Sequence, residues 1–192
     1  MKIINLATYA ALVFFLSISN SLSKTKFEIE GFSLGMVLSD KLTPDQIKKG
    51  KIENYYNTKY VTTLEFEKSS FLPTYDWIQF SFKKKDKKQK IIDIEIVDYY
   101  EDNIAECFAK RDELISDIKK KNEKRIDYID DLGTKPFSES YAKGTNTTTW
   151  IILKGRKYIY VSCYNFAETE TRKDQLRMGI SNAYFDKYAY KK

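Results

Sequence analysis

Residues 77–97 read WIQFSFKKKDKKQKIIDIEIV, and the alternation at the two ends of this stretch decides the fold. In the first end Ile78, Phe80 and Phe82 fall on one side of an extended chain, with Trp77, Gln79 and Ser81 on the other. In the second end Ile92, Ile94 and Ile96 share a side opposite Asp93 and Glu95. A period of two marks a strand with one face in a core. The lysine-rich run Lys83 to Lys90 between them predicts an exposed hairpin loop whose charge discourages edge pairing. The unit is therefore an antiparallel hairpin.

Outward from this hairpin, Tyr60 to Phe66 is β-branched and aromatic and reads as a third strand, with Pro73 in the intervening turn. Thr148 to Leu153 and Tyr158 to Tyr164 form another hairpin around Lys154-Gly155-Arg156, and Leu176 to Ile180 reads as a last strand. Near the start, Phe27 to Glu30 alternates and stops at Gly31, which predicts a short first strand. A short helix follows, with Thr43 as cap, Pro44 in the first turn and Gly50 as stop. Glu101 to Asn122 is the one long helix. Its stripe of Ile104, Cys107, Phe108, Leu114, Ile115 and Ile118 is apolar except for Arg111. Lys124 to Asn146 is polar, carries Gly133, Pro136 and Gly144, and reads as a long loop. Asn182 to Tyr190 reads as a C-terminal helical segment. The expected class is α+β: a single antiparallel sheet of about six strands with the long helix on one face. No internal repeat is visible.

The first twenty-three residues have the order of an export signal. Lys2 precedes an uncharged apolar centre, Leu6 to Leu16, and small polar residues run to Ser23. The expected cut follows Ser23, with Ser21 as the alternative, leaving residues 24–192 as a single domain of 169 residues. A membrane-spanning helix needs about 20 apolar residues, and this centre is shorter and interrupted by Asn5, Thr8 and Ser17. No transmembrane segment is expected after cleavage, and the expected location is periplasmic or secreted. The remaining chain carries 32 basic and 27 acidic side chains, a net charge of +5. Lysines interleaved with acids describe a solvated surface, and no nucleic-acid-binding motif accompanies them.

Export changes the meaning of the two cysteines. Cys163 shares its strand face with Ile159 and Val161, and Cys107 lies on the apolar stripe of the long helix. If that helix covers that face, the sulfurs meet, and an oxidising compartment joins them. Two separate buried thiols are the alternative.

The chemistry of the chain is bounded by what it lacks. It contains no histidine, which removes Ser-His and Cys-His nucleophile pairs and His-ligated zinc. It has no C-x-x-C, no phosphate loop and no dinucleotide fingerprint. No cofactor and no metal are expected. Carboxylates remain. Asp98, Glu101 and Asp102 flank the start of the long helix, where acids also complement the helix dipole. Asp127, Asp130 and Asp131 lack calcium-loop spacing. Asn146-Thr147-Thr148 fits a glycosylation acceptor. The more suggestive feature is aromatic: Tyr158, Tyr160 and Tyr164 share the face opposite Cys163, and Trp77 lies opposite Phe80. Such a face binds a protein or a small amphipathic ligand, unless the first strand, the short helix or the terminal segment covers it.

The stretches Ile29 to Gly35, Tyr75 to Lys84, Asn103 to Cys107, Val161 to Tyr164 and Asp174 to Ile180 resemble a family of small exported, two-cysteine bacterial proteins of unknown function. That resemblance implies a pairing of the two cysteines and carries no catalytic residue. The glycine-bearing segment before the short helix also resembles small envelope lipoproteins of outer-membrane assembly, although the lipidated cysteine is missing here. The expectation is an exported, non-enzymatic binding domain. A carrier holding an apolar ligand between helix and sheet, and a hydrolase using Asp98, Glu101 and Asp102, are the alternatives.

Overall fold

The computed structural model describes residues 27–54, 56–101, 103–138 and 142–191. The export signal expected over residues 1–23 lies outside them. Strands β1 (Lys51–Glu53), β2 (Val61–Ser69), β3 (Leu72–Lys83) and β4 (Ile91–Tyr100) form one antiparallel meander. Helix α2 (Ile104–Asn122) follows, and then a second meander of β5 (Ile126–Pro136), β6 (Gly144–Leu153), β7 (Lys157–Phe166) and β8 (Asp174–Asn182). The meanders join where β4 pairs antiparallel with β8, giving one eight-stranded sheet in the order β1-β2-β3-β4-β8-β7-β6-β5. A short helix, α1 (Pro44–Ile47), precedes the first meander as α2 precedes the second. The chain thus uses one plan twice with no repeated sequence.

Eight strands replace the expected six or so, and the differences sit at the edges. Lys124 to Asn146 is not a loop: Ile126–Pro136 is β5, the outermost strand, whose residues are largely exposed, and Gly144 to Asn146 already belong to β6. A strand exposed on both faces has no reason to alternate, so its polar, glycine-bearing sequence hides it. β1, the opposite edge, is only three residues long. Phe27 to Glu30 is not a strand of the sheet. It is half of a tight turn closed by Ile29 and Phe32, with Glu30 (φ 53°) and Gly31 (φ 75°) both left-handed.

The helix-side face holds the main core. Phe80, Ile94, Ile96, Val161, Leu176 and Ile180 line it, each at most 2 % exposed. Helix α2 covers β7, β8 and part of β4. It starts at Asn103, whose side chain accepts from the Glu106 N–H, and ends in Lys119, Lys120 and Lys121, which suit the negative helix end. The rest of this face is covered by residues 29–42. Phe32 packs tilted against Phe80, 4.6 Å between ring centres, and Leu38 and Leu42 are buried beside it. The first turn and the short helix therefore cover the helix side, not the tyrosine side. Thr43 caps α1, accepting from Gln46 N while the Gln46 side chain accepts from Thr43 N at 2.8 Å.

Cys107 and Cys163 are disulfide-bonded (Sγ–Sγ 2.09 Å, Cα–Cα 6.0 Å), tying α2 to β7 inside the core. Arg111, the one charge on the apolar stripe, reaches past the core to the sheet edge. It donates to Thr149 Oγ1 (2.6 Å), Asp131 Oδ1 (3.4 Å) and Asp112 Oδ1 (2.8 Å). Helix α3 (Ala183–Tyr188) packs on the other face, where Phe185 and Ala189 meet Val61 and Ile92 in a second, smaller core. Ile92 does not share the face of Ile94 and Ile96 as its alternation predicts. A register shift opposite Ser81 and Phe82 turns it over and puts Ile91 in the main core instead. Among the described residues no helix is long and apolar enough to cross a membrane.

Candidate functional site

The face away from α2 is polar at its floor, which is unusual for a surface so well shielded from water. The register places Glu65, Gln79, Glu95, Gly179, Tyr160 and Trp150 in one row across six strands. In the adjacent row Trp77, Val97, Arg177, Ser162 and Thr148 stand in line. Beyond them lie Tyr99, Gln175, Tyr164 and Asn146. Glu95, Gln79, Gln175, Ser162 and Thr148 are buried, none more than 7 % exposed. A cavity of about 1110 Å³ opens above them.

Rings make its walls. Trp77 and Tyr99 stand at the β3–β4 side, Trp150, Tyr160 and Tyr164 at the β6–β7 side, and Tyr56 and Tyr190 close the end beside α3. Trp150 and Tyr160 pack at 5.2 Å between centroids. Gly179 makes room for this: a Cβ there would sit 2.4 Å from a Tyr160 ring carbon, so only glycine lets the ring lie across β8. The far wall comes from Leu132, Pro136 and Phe137, in and just after β5.

The floor is held by hydrogen bonds. Glu95 Oε2 accepts from the Tyr56 hydroxyl at 3.0 Å and Oε1 from Arg177 Nη1 at 3.2 Å. The Arg177 guanidinium also lies 5.2 Å from the Tyr164 ring centre, a cation–π arrangement. Thr148 and Ser162 hydroxyls are 2.7 Å apart, and the Gln79 amide donates to Glu65. Burial pushes the Tyr160 and Tyr56 phenols well above their usual range, and the nearby Glu95 charge adds to both. Both therefore stay neutral hydroxyls. Under α3, Asp93 ends a chain from Thr63 through Ser81 (2.9 Å, then 3.3 Å). Complete burial, then the Glu95 charge, raises the Asp93 carboxyl well above its ordinary value.

Of the residues singled out by sequence, Trp77, Tyr160 and Tyr164 line the cavity. Tyr158 is on the same face but one row nearer α3, between Ile152 and Ser181, and does not line it. Asn146 stands on the cavity wall with its amide 3.5 Å from Thr148 Oγ1. Of the carboxylates, Asp98 faces Asp76, and burial followed by the Asp76 charge raises its carboxyl. Glu101 instead pairs with Lys173, and Asp102 lies outside the described residues. Asp131 is engaged by Arg111 and Thr149, while Asp127 and Asp130 are exposed. No described cluster of acids or cysteines has the geometry of a metal site. The space between α2 and the sheet, where an apolar ligand was an alternative, is filled by the core around the disulfide.

Gln79, Glu95, Tyr99, Gln175 and Arg177 went unmarked as site residues, although Gln79 and Glu95 share the alternation parity of Trp77 across paired strands. Tyr56 had no such signal, since it lies in a connection. No family model, curated protein or solved structure matches this chain.

Proposed function

We propose that this is an exported binding protein that holds its ligand in the cavity on the sheet face opposite α2. The observation that carries it is the ring-walled cavity over a buried, hydrogen-bonded polar floor. A large concave site with a few convergent polar groups is the usual form of a ligand site. Holding rather than converting the ligand fits the chemistry at hand. The chain has no histidine, its cysteines are joined, and the floor carboxylate Glu95 is neutralised by Arg177 at 3.2 Å. The signal-like order of residues 1–23 in the sequence, together with the disulfide, supports a periplasmic or secreted location.

A photo-crosslinking phenylalanine analogue at position 77 or 99, with a control at position 120 on the outer end of α2, tests this in the producing cells. Adducts in intact-mass spectra are expected from the cavity positions and not from the control. Equal labelling at all three, or none anywhere, refutes it.

A further inference from the structure

We infer that the ligand is a neutral oligosaccharide; this rests on the proposed binding role of the cavity. The inference comes from how polarity is layered. Protein-binding surfaces put an apolar patch at the centre and polar groups on the rim. Here the order is reversed. The deepest residues are Gln79, Glu95, Gln175 and Ser162, each 5 % exposed or less. The rings of Tyr56, Trp77, Tyr99, Trp150, Tyr160 and Tyr164 stand half-buried or exposed around them, together with the charged side chains of Arg172 and Lys173.

A sugar matches that layering. Each pyranose ring has a flat C–H face, which lies against the electron-rich face of an aromatic ring. Its edge carries hydroxyls that both donate and accept, which suits side-chain amides, hydroxyls and a carboxylate–guanidinium pair. Gln175 supplies an amide and Tyr160 a neutral hydroxyl at this floor, beside the Glu95–Arg177 pair. The charge argues for a neutral ligand. Glu95 and Arg177 balance each other, Lys173 is paired with Glu101 at the rim, and the guanidinium of Arg172, the other lining cation, lies 5.8 Å from the Phe166 ring centre. Length argues for several sugar rings. Trp77 on β3 and Trp150 on β6 are four strand spacings apart, at most about 19 Å.

The test is a printed array of neutral and acidic glycans probed with the full oxidised protein, followed by calorimetric titration of the best neutral oligomer. One saturable site is expected. Tyr99→Ala, which removes a ring that is 40 % exposed, is expected to weaken binding at least tenfold with the melting temperature unchanged. Trp150→Leu is expected to weaken it similarly. If neutral glycans bind and both variants bind as wild type does, the sugar is held elsewhere and the inference falls. If only acidic glycans bind, the inference also falls. If no glycan binds but the cavity crosslinkers capture a protein, the cavity remains a binding site and the oligosaccharide is wrong. If neither occurs, both the binding role and its ligand are wrong.

Discussion

Replacing Cys107 and Cys163 together by alanine removes a crosslink that closes a loop of 57 residues, the two cysteines being 56 apart in sequence. In the chain-entropy relation that loop is worth about 14 cal/mol/K, or about 4 kcal/mol at 25 °C. Both sulfur-bearing residues are at most 1 % exposed, so the lost atoms add a packing cost of about 1 kcal/mol. A domain of this size has roughly 5–15 kcal/mol in hand, so the double variant should be marginal, with a melting temperature lower by about 10 °C or more. Urea unfolding followed by circular dichroism separates the parts. Oxidised and reduced wild type should differ by the crosslink alone, and reduced wild type and double variant by the packing alone. Because the bridge is buried, a mild reductant should cleave it no faster than the native protein opens. A difference under about 1 kcal/mol between oxidised and reduced protein would refute the reasoning, and with it the view that the bridge restrains the unfolded chain.

Three further outcomes are expected. The folded state holds a proton on Asp93 to higher pH than the unfolded chain does, so its share of stability is full below the ordinary carboxyl value of 3.8. That share fades as pH rises through the elevated value, at about 1.4 kcal/mol per unit of elevation. Asp93→Asn should therefore flatten the loss of stability between pH 4 and pH 8 in urea titrations, and an unchanged slope would show that Asp93 is not the group responsible. Arg111→Met should stay within about 1 kcal/mol of wild type, because Asp131 and Asp112 are exposed and leave no buried charge behind. Arg111→Ala should lose more through packing, and a loss above about 3 kcal/mol for the methionine variant would show the ion network to be essential. Gly179→Ala should cost little stability, since Tyr160 can swing into the cavity and alanine suits a strand better than glycine. It should abolish binding in the cavity, as read by titration with whatever ligand the crosslinking identifies.

The central strands were legible because each has one face in the core and one in the cavity. Ile94 and Ile96 against Asp93 and Glu95 is a pattern that only a two-faced strand produces. The same parity placed Cys107 and Cys163 together once α2 was laid on the sheet. The edges were not legible. β5 carries Asp127, Asp130 and Asp131 in a strand mostly open to solvent, where burial imposes no pattern. The cavity was half legible. Trp77, Tyr160 and Tyr164 could be assigned a face, but the polar residues beneath them resemble any solvated strand face until α3 and the connection bearing Tyr56 are seen to close one end. Sequence parity assigns a face and says nothing of what stands over it.

The seam between β4 and β8 imposes a timetable on assembly. β8 lies between β4 and β7, yet it is made after both, and its partner residue for Val97 is Arg177. Until those last strand residues arrive, the first meander keeps an open, isoleucine-rich margin at β4. Such a margin is prone to pair with another chain. A polypeptide that inserts its keystone last gains most from being held unfolded until synthesis is finished, and delayed folding of that kind is also what passage through an export channel demands.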